Sequence, residues 1–255
     1  MSNDILIERH AGVQVLRFNR PAKKNAITRA MYTALAEGLT AGEADDSIAA
    51  HVFAGSGGIF TAGNDLADFA AGGSPGGGAP VVGFLEALVA AQKPLIAAVD
   101  GAAIGIGATL LLHCDLVYAS PSARLVTPFI DLGVVPEAAS SLLLPQRAGH
   151  HVAFEMLCLG APIGAERAFQ VGLVNAIVPA SDLEAHVLKV ATALATKPRE
   201  ALRVSRTLLR ADSTQVRARM REEFAHFTQR LQSAEAKEAI AAFLEKRPPD
   251  FGKRG

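Results

Sequence analysis

Two short segments constrain this chain most: F-T-A-G-N-D at Phe60–Asp65 and the glycine-spaced stretch Gly101–Thr109, each joining an apolar run to a segment with helical spacing. The first backbone N–H groups of a helix have no partners within it, and the helix dipole places partial positive charge there. Two such starts aimed at one point make an oxyanion hole, a pair of amides that holds a developing negative oxygen. The fold therefore has to bring these two turns together.

The rest of the chain reads as scaffold. Its 255 residues are 50% hydrophobic with no long apolar span, which suits a soluble domain with a full core and a helical appendage. Basic and acidic residues balance at 25 each, so no general electrostatic footprint for nucleic acid or a membrane is expected. The stretch MSNDILIERH lacks the basic and apolar regions of a signal peptide, and the expected compartment is the cytoplasm. Cys114 and Cys158, both in apolar helix-like surroundings, read as reduced core residues and offer neither metal spacing nor a disulfide framework.

Ile5–Arg9 and Val13–Phe18 alternate around Ala11-Gly12 as a β-hairpin. Met31, Leu35 and Leu39 then recur at helical spacing behind Thr28, a plausible N-cap. A short strand over His51–Ala54, a helix over Val81–Ala91, a buried strand over Leu95–Val99, a helix over Ile106–His113 and a strand over Leu116–Ala119 follow. The run from Ala70 to Gly78 is expected to be a mobile loop, either a lid or acyl entrance or a plain connection. Asp131–Glu137 reads as loop, with helices over Leu142–Ala148 and Val152–Leu159. Such strand-turn-helix units suit a parallel sheet in an α/β coil of stacked layers. Beyond Lys197-Pro198 the pattern is helical, with one apolar stripe at Met220, Phe224, Phe227 and Leu231 and another at Ile240, Phe243 and Leu244. The expected division is a core over 1–196 and a helical module over 197–255, which either packs on a second copy or folds back on its own subunit.

Several tempting motifs have plain readings. Gly101, Gly105 and Gly107 lack the spacing of a dinucleotide loop. Asp115 beside His113-Cys114 does not make a triad by adjacency, and His113 reads as a helix-end dipole partner or packed residue. His150-His151 has no nearby metal-ligand partners, so no metal site is expected. Ser140 and Ser141 lack a nucleophile-elbow context.

N-R-P-A-K-K-N-A at Asn19–Ala26, F-T-A-G-N-D-L at Phe60–Leu66, A-V-D-G-A-A-I-G-I-G at Ala98–Gly107, H-C-D-L-V-Y-A at His113–Ala119 and the last helix, Glu235–Phe251, resemble the crotonase, or enoyl-CoA hydratase/isomerase, superfamily over nearly the whole chain. The resemblance implies an α/β spiral of ββα units with a C-terminal helical oligomerisation region. It also implies a homotrimer or dimer of trimers, and acyl-CoA thioesters as substrates with no cofactor beyond the CoA they carry. By the same resemblance the oxyanion amides are those of Asn64 and Ile106, the latter standing where the family usually has glycine. Ala62, Gly63, Asp65 and Leu66 line the CoA end, with Asp65 also a plain helix cap. Lys24, beside Ala26, either meets CoA phosphates or is a solvated loop lysine, and Phe129 and Leu132 shape the acyl pocket.

The resemblance also speaks to the reaction. The two positions that carry glutamates in the family's hydratases read Thr109 and Phe129 here, whereas Glu137 matches the single catalytic glutamate of its Δ3,Δ2-enoyl-CoA isomerases. One base suffices to take a proton from C2 and return it to C4, whereas hydration needs two groups. Val134, Val135, Pro136, Ala138 and Ala139 push the Glu137 carboxyl upward, a helix start near Ser140 pushes it down, and a bare first-turn helix carboxylate is the plain alternative. Asp131 is a further acid or simply a loop residue. The implied activity is 3-enoyl-CoA to 2-enoyl-CoA isomerisation, with an enoyl-CoA hydratase or other family enzyme, or a non-catalytic acyl-CoA-binding protein, as alternatives.

Overall fold

The computed structural model describes residues 4–71, 78–210 and 212–252. Its main sheet begins with the expected hairpin, β1 (Ile5–His10) antiparallel to β2 (Val13–Phe18). Consecutive residues of β2, including Gln14, are buried because helices cover both of its faces and strands flank both edges. α1 (Arg29–Ala44) starts where Thr28 Oγ1 accepts from the Met31 amide at 3.3 Å, and Met31, Tyr32, Leu35 and Leu39 bury one face against the sheet. β3 (Ala50–Gly55) then pairs in parallel with β2, and α2 (Leu66–Ala71) and α3 (Gly78–Ala90) follow. The two helices take the ends of the expected loop, and the remainder of that loop, including its reading as a lid, lies outside the described residues.

β4 (Leu95–Val99) joins the main sheet, but the chain turns at once into β5 (Ala102–Ile104), which belongs to a second, three-stranded sheet. After α4 (Ile106–Thr109) and a 3-10 turn over 110–113, the same step repeats. β6 (Leu116–Ala119) enters the main sheet and β7 (Arg124–Val126) the small one. These two turns of the spiral thus each give one strand to each sheet and then a helix. The small sheet does not figure in the sequence reading, because three-residue strands carry no usable alternation.

α5 (Ser140–Ala148), α6 (His150–Leu157), β8 (Ile163–Gly164), α7 (Ala165–Gln170) and β9 (Ala176–Ile177) complete the spiral. The main sheet runs β1-β2-β3-β4-β6-β9 and the small one β5-β7-β8. α8 (Ala180–Ala195) covers the outer face of the main sheet through Leu183, Val187 and Ala191. α9 (Arg199–Leu209), α10 (Ser213–Leu231) and α11 (Ala234–Glu245) end the described chain. Among the described residues, no helix is long and apolar enough to cross a membrane.

The two C-terminal stripes behave differently. Val216, Met220 and Phe227 of α10 join the main core of their own subunit, whereas Phe243 and Leu244 of α11 stand 62% and 57% exposed. Polar clamps tie this region down: Arg206 donates to Asp115 Oδ2 at 2.7 Å and to the Ala91 carbonyl at 2.5 Å, and Arg210 to the His113 carbonyl at 3.0 Å. Cys114 is a core residue, its thiol pushed up to about 12 by burial. Cys158 is not, contrary to the sequence reading: it lies past the last buried residues of α6, Met156 and Leu157, and is exposed together with Leu159.

Candidate active site

The Phe60–Asp65 turn is stitched to its surroundings almost amide by amide. Thr61 N–H donates to the Ala102 carbonyl at 3.0 Å, Ala62 to Lys24 at 2.9 Å, Gly63 to Thr61 Oγ1 at 3.0 Å and Asp65 to the Ile27 carbonyl at 2.9 Å. Asn64 sits in a parallel bridge with Ile27, in which the Ile27 N–H donates to the Gly63 carbonyl at 2.8 Å and the Asp65 N–H to the Ile27 carbonyl, so that the N–H of Asn64 takes no part. Among the described residues that amide has no acceptor. The second turn does the same by a different route. Gly105 donates to the Val126 carbonyl at 2.8 Å and then adopts φ 55°, ψ −120°, so that α4 begins at Ile106 with the orphan amides of a helix start.

These two sets of free donors are neighbours. Thr61 bridges Ala103, and a β-carbon on Gly63, at φ +81°, would stand 2.7 Å from the Ile104 carbonyl oxygen. One on Gly107 would stand 2.4 Å from Thr61 Cγ2. Only glycine allows the loops this close.

The Asn64 side chain leads to the acid. Its Oδ1 accepts a short hydrogen bond from the hydroxyl of Tyr32, which is fully buried on α1. Burial raises the Tyr32 phenol well above its ordinary range, and the charge of Glu137 adds to the rise, so Tyr32 stays a donor and Glu137 lies within electrostatic reach of it. Glu137 is thus coupled electrostatically to the Tyr32–Asn64 pair, and Ile106 and Phe129 are buried in the same hydrophobic core.

Glu137 itself sits in the loop before α5, not in the helix's first turn. Its Oε1 is buried without a hydrogen-bond partner, and the carboxyl is pushed up to about 8, first by burial and then by the charge of Glu223. The apolar neighbours thus prevail over the helix start at Ser140. The loop is held in an unusual shape: Ala138 and Ala139 are both left-handed, at φ 59° and 56°, which costs roughly 1 to 2 kcal/mol each. Two buried groups hold it there. His113, lowered to about 4 mainly by burial and hence neutral, donates from Nε2 to the Ala138 carbonyl at 2.8 Å. Glu223 on α10 accepts from the Ala139 amide at 2.6 Å, the Ser141 amide at 2.9 Å and Ser141 Oγ at 2.5 Å.

The remaining residues singled out from sequence take varied places. Asp65 Oδ1 accepts from the Ala67 and Asp68 amides, both at 3.1 Å, as a helix cap does, and its Oδ2 pairs with Arg20 at 2.7 Å. Burial raises that carboxyl, but Arg20 and the two amides outweigh it and lower it overall. Lys24 is exposed, Ala26, Ala62 and Leu66 are half-buried along the same rim, and Leu132 packs against the core beside Phe129. Thr109 is buried with its hydroxyl 3.5 Å from the Ile106 carbonyl, so neither it nor Phe129 supplies an acid. Asp131 is exposed against Gly160, and Asp115 is taken up by Arg206 and the Leu95 amide.

Tyr32 and Glu223 escape the sequence reading. Each is a polar residue on an apolar stripe, Tyr32 with Leu35 and Leu39, Glu223 with Met220 and Phe227. That spacing is the signal that marks them.

A family model described as enoyl-CoA hydratase/isomerase matches residues 8–254. The rat protein "Enoyl-CoA delta isomerase 2" is 37% identical over 97% of this chain, which spans 65% of that relative's length. The Escherichia coli "2,3-dehydroadipyl-CoA hydratase" is 35% identical over 98% of both chains. The crystal structure of an enoyl-CoA hydratase/isomerase from Pseudoalteromonas atlantica superposes with a TM-score of 0.92 at 42% identity, covering 97% of this chain and 99% of that one. Paired glycine turns, the two-sheet spiral and these matches agree: the chain belongs to the enoyl-CoA hydratase/isomerase family, the crotonase superfamily.

Proposed function

We propose that the protein is a Δ3,Δ2-enoyl-CoA isomerase with Glu137 as its only acid/base group. The observation that carries this reading is a buried Glu137 oxygen with no protein partner, within electrostatic reach of Tyr32, and by the family resemblance Thr109 and Phe129 occupy the positions where a hydratase has acids. Ionised Glu137 takes a proton from C2 of a 3-enoyl thioester, and the electron pair moves through the double bond system onto the thioester oxygen. The Asn64 and Ile106 amides receive that charge, each such donor contributing about 2.7 to 4 kcal/mol to the transition state. Protonated Glu137 then delivers the same proton to C4, leaving a 2-enoyl thioester and a regenerated carboxylate. No second acid and no added water enter the balance.

In this reading CoA enters only as part of the substrate, past Lys24, Ala26 and the Ala62–Leu66 rim, and Phe129 and Leu132 bound the acyl group. The exposed Phe243 and Leu244 support self-association through α11, which the family resemblance reads as a homotrimer or dimer of trimers. The deciding experiment supplies 3-enoyl-CoA and 2-enoyl-CoA separately. Conversion of the first to the second with little water addition is the expected result. Rapid hydration of 2-enoyl-CoA that survives Glu137→Gln makes the enzyme a hydratase instead, and binding without turnover at any chain length makes it an acyl-CoA-binding protein.

A further inference from the structure

Glu223 is a carboxylate inside the protein, 5% exposed, on a helix that otherwise buries Val216, Met220 and Phe227. Its two oxygens end on the backbone of the loop that carries Glu137, accepting from the Ala139 amide, the Ser141 amide and the Ser141 hydroxyl. Arg219, one turn earlier on α10, donates to that same hydroxyl at 3.1 Å. Glu137 Oε1, by contrast, has no donor at all. The Glu223 charge acts on Glu137 across the loop whose Ala139 and Ser141 Glu223 holds, and of two coupled carboxylates in a low-dielectric interior the one that collects hydrogen bonds keeps the negative charge.

We propose that Glu223 is a positioning residue for Glu137: its grip on Ala139 and Ser141 aims the Glu137 side chain, and its negative charge biases the pair's shared proton onto Glu137. The catalytic half of this statement rests on the isomerase reading above. The asymmetry in donors assigns the roles. Burial raises the Glu223 carboxyl, against the pull of Ser141, Ala139 and Arg219, while Glu137 has only burial and the Glu223 charge, both raising it. The other ionisable groups around the loop leave this balance intact. Tyr32 on α1 is a protonated phenol, His113 is neutral and spent on Ala138, and Arg230 reaches the Gly133 carbonyl at 3.3 Å while pairing with Glu235. Left-handed alanines at 138 and 139 explain why a grip is needed, since without it the loop relaxes and the carboxyl turns with it.

The test follows the Glu137 carboxyl directly, by carbon-13 NMR of the full chain labelled at the glutamate carboxyl, its resonance identified by its loss in Glu137→Gln. Glu223→Gln is expected to lower the Glu137 midpoint by at least about one pH unit, with the pH profile of isomerisation moving the same way. An unchanged midpoint overturns the charge coupling. Glu223→Asp keeps the charge but withdraws it from Ala139 and Ser141. It is expected to hold the midpoint near its original value while kcat falls at least about tenfold and KM changes less than about threefold. Wild-type kcat in Glu223→Asp overturns the positioning, and should Glu223→Gln not fold, a Glu137 midpoint in Glu223→Asp that drops by about one pH unit or more overturns the charge coupling. The midpoint needs no turnover, so a fully active Glu137→Gln would end the reading of Glu137 as the proton carrier while the titration still judges the pairing.

Discussion

Replacing Glu137 by glutamine should remove the loss of stability that this site imposes as pH rises. In the folded protein the Glu137 carboxyl is raised from about 4.5 to about 8 by burial and by Glu223. Between those values the native state holds one proton that the unfolded chain has released. Stability from this site is therefore complete below about pH 4.5 and is lost as pH rises, at about 1.4 kcal/mol per unit, until the folded group ionises near 8. From pH 6 to pH 9 the loss is about 3 kcal/mol. Glutamine has no proton to lose, so Glu137→Gln keeps that stability. Urea unfolding of both proteins at pH 6 and pH 9, at one fixed protein concentration, measures the difference. Groups that titrate alike in the two proteins cancel, including Glu8, Glu43 and Asp65, whose lowered carboxyls act at more acidic pH. The variant should gain about 3 kcal/mol on the wild type between the two conditions. Parallel stability curves would refute the claim that the buried carboxyl carries its proton at neutral pH.

The same raised carboxyl predicts that kcat/KM for 3-enoyl-CoA climbs about tenfold per pH unit below 8 and levels above it, because the free enzyme must ionise Glu137 before it can act as base; a profile flat from pH 6 to 9 contradicts this. Gly107→Ala drives a β-carbon to 2.4 Å from Thr61 Cγ2 and parts the two turns. Losing one oxyanion donor in this way should cut kcat by about 10²- to 10³-fold with the protein still folded, as steady-state kinetics and circular dichroism will show. Tyr32→Phe leaves Asn64 Oδ1 without its buried donor and should cost about 1 to 3 kcal/mol of stability, read from urea unfolding, together with a fall in kcat.

How much of this was legible beforehand depends on whether the signal is local. The Thr28 cap, the β1–β2 hairpin and the stripe Met31, Leu35, Leu39 are written in adjacent residues and their spacing, and the structure has them. The glycine turns are equally local, because positive φ at Gly63 and Gly105 and close approach at Gly107 leave no other residue type. The small sheet was not readable, since β5 and β7 have three residues each and gain their identity from partners far along the chain. Nor was the environment of Glu137. Its apolar flanks were visible and burial is the larger cause of its raised carboxyl, but the added charge of Glu223 comes from a helix far along the chain and no local spacing near Glu137 announces it. Cys158 shows the converse error: an apolar neighbourhood in sequence, including Leu159, ended on the surface because the helix stops at Leu157. In α10, Met220 and Phe227 of the expected stripe join the core of their own chain.

The most direct measurement is the initial rate at which purified Glu137→Gln converts 3-enoyl-CoA to 2-enoyl-CoA, set against the wild type near pH 8.5. Removing a lone proton carrier should lower kcat by at least about 10³-fold while thioester binding persists. A variant that isomerises within about tenfold of the wild type would mean that another group moves the proton.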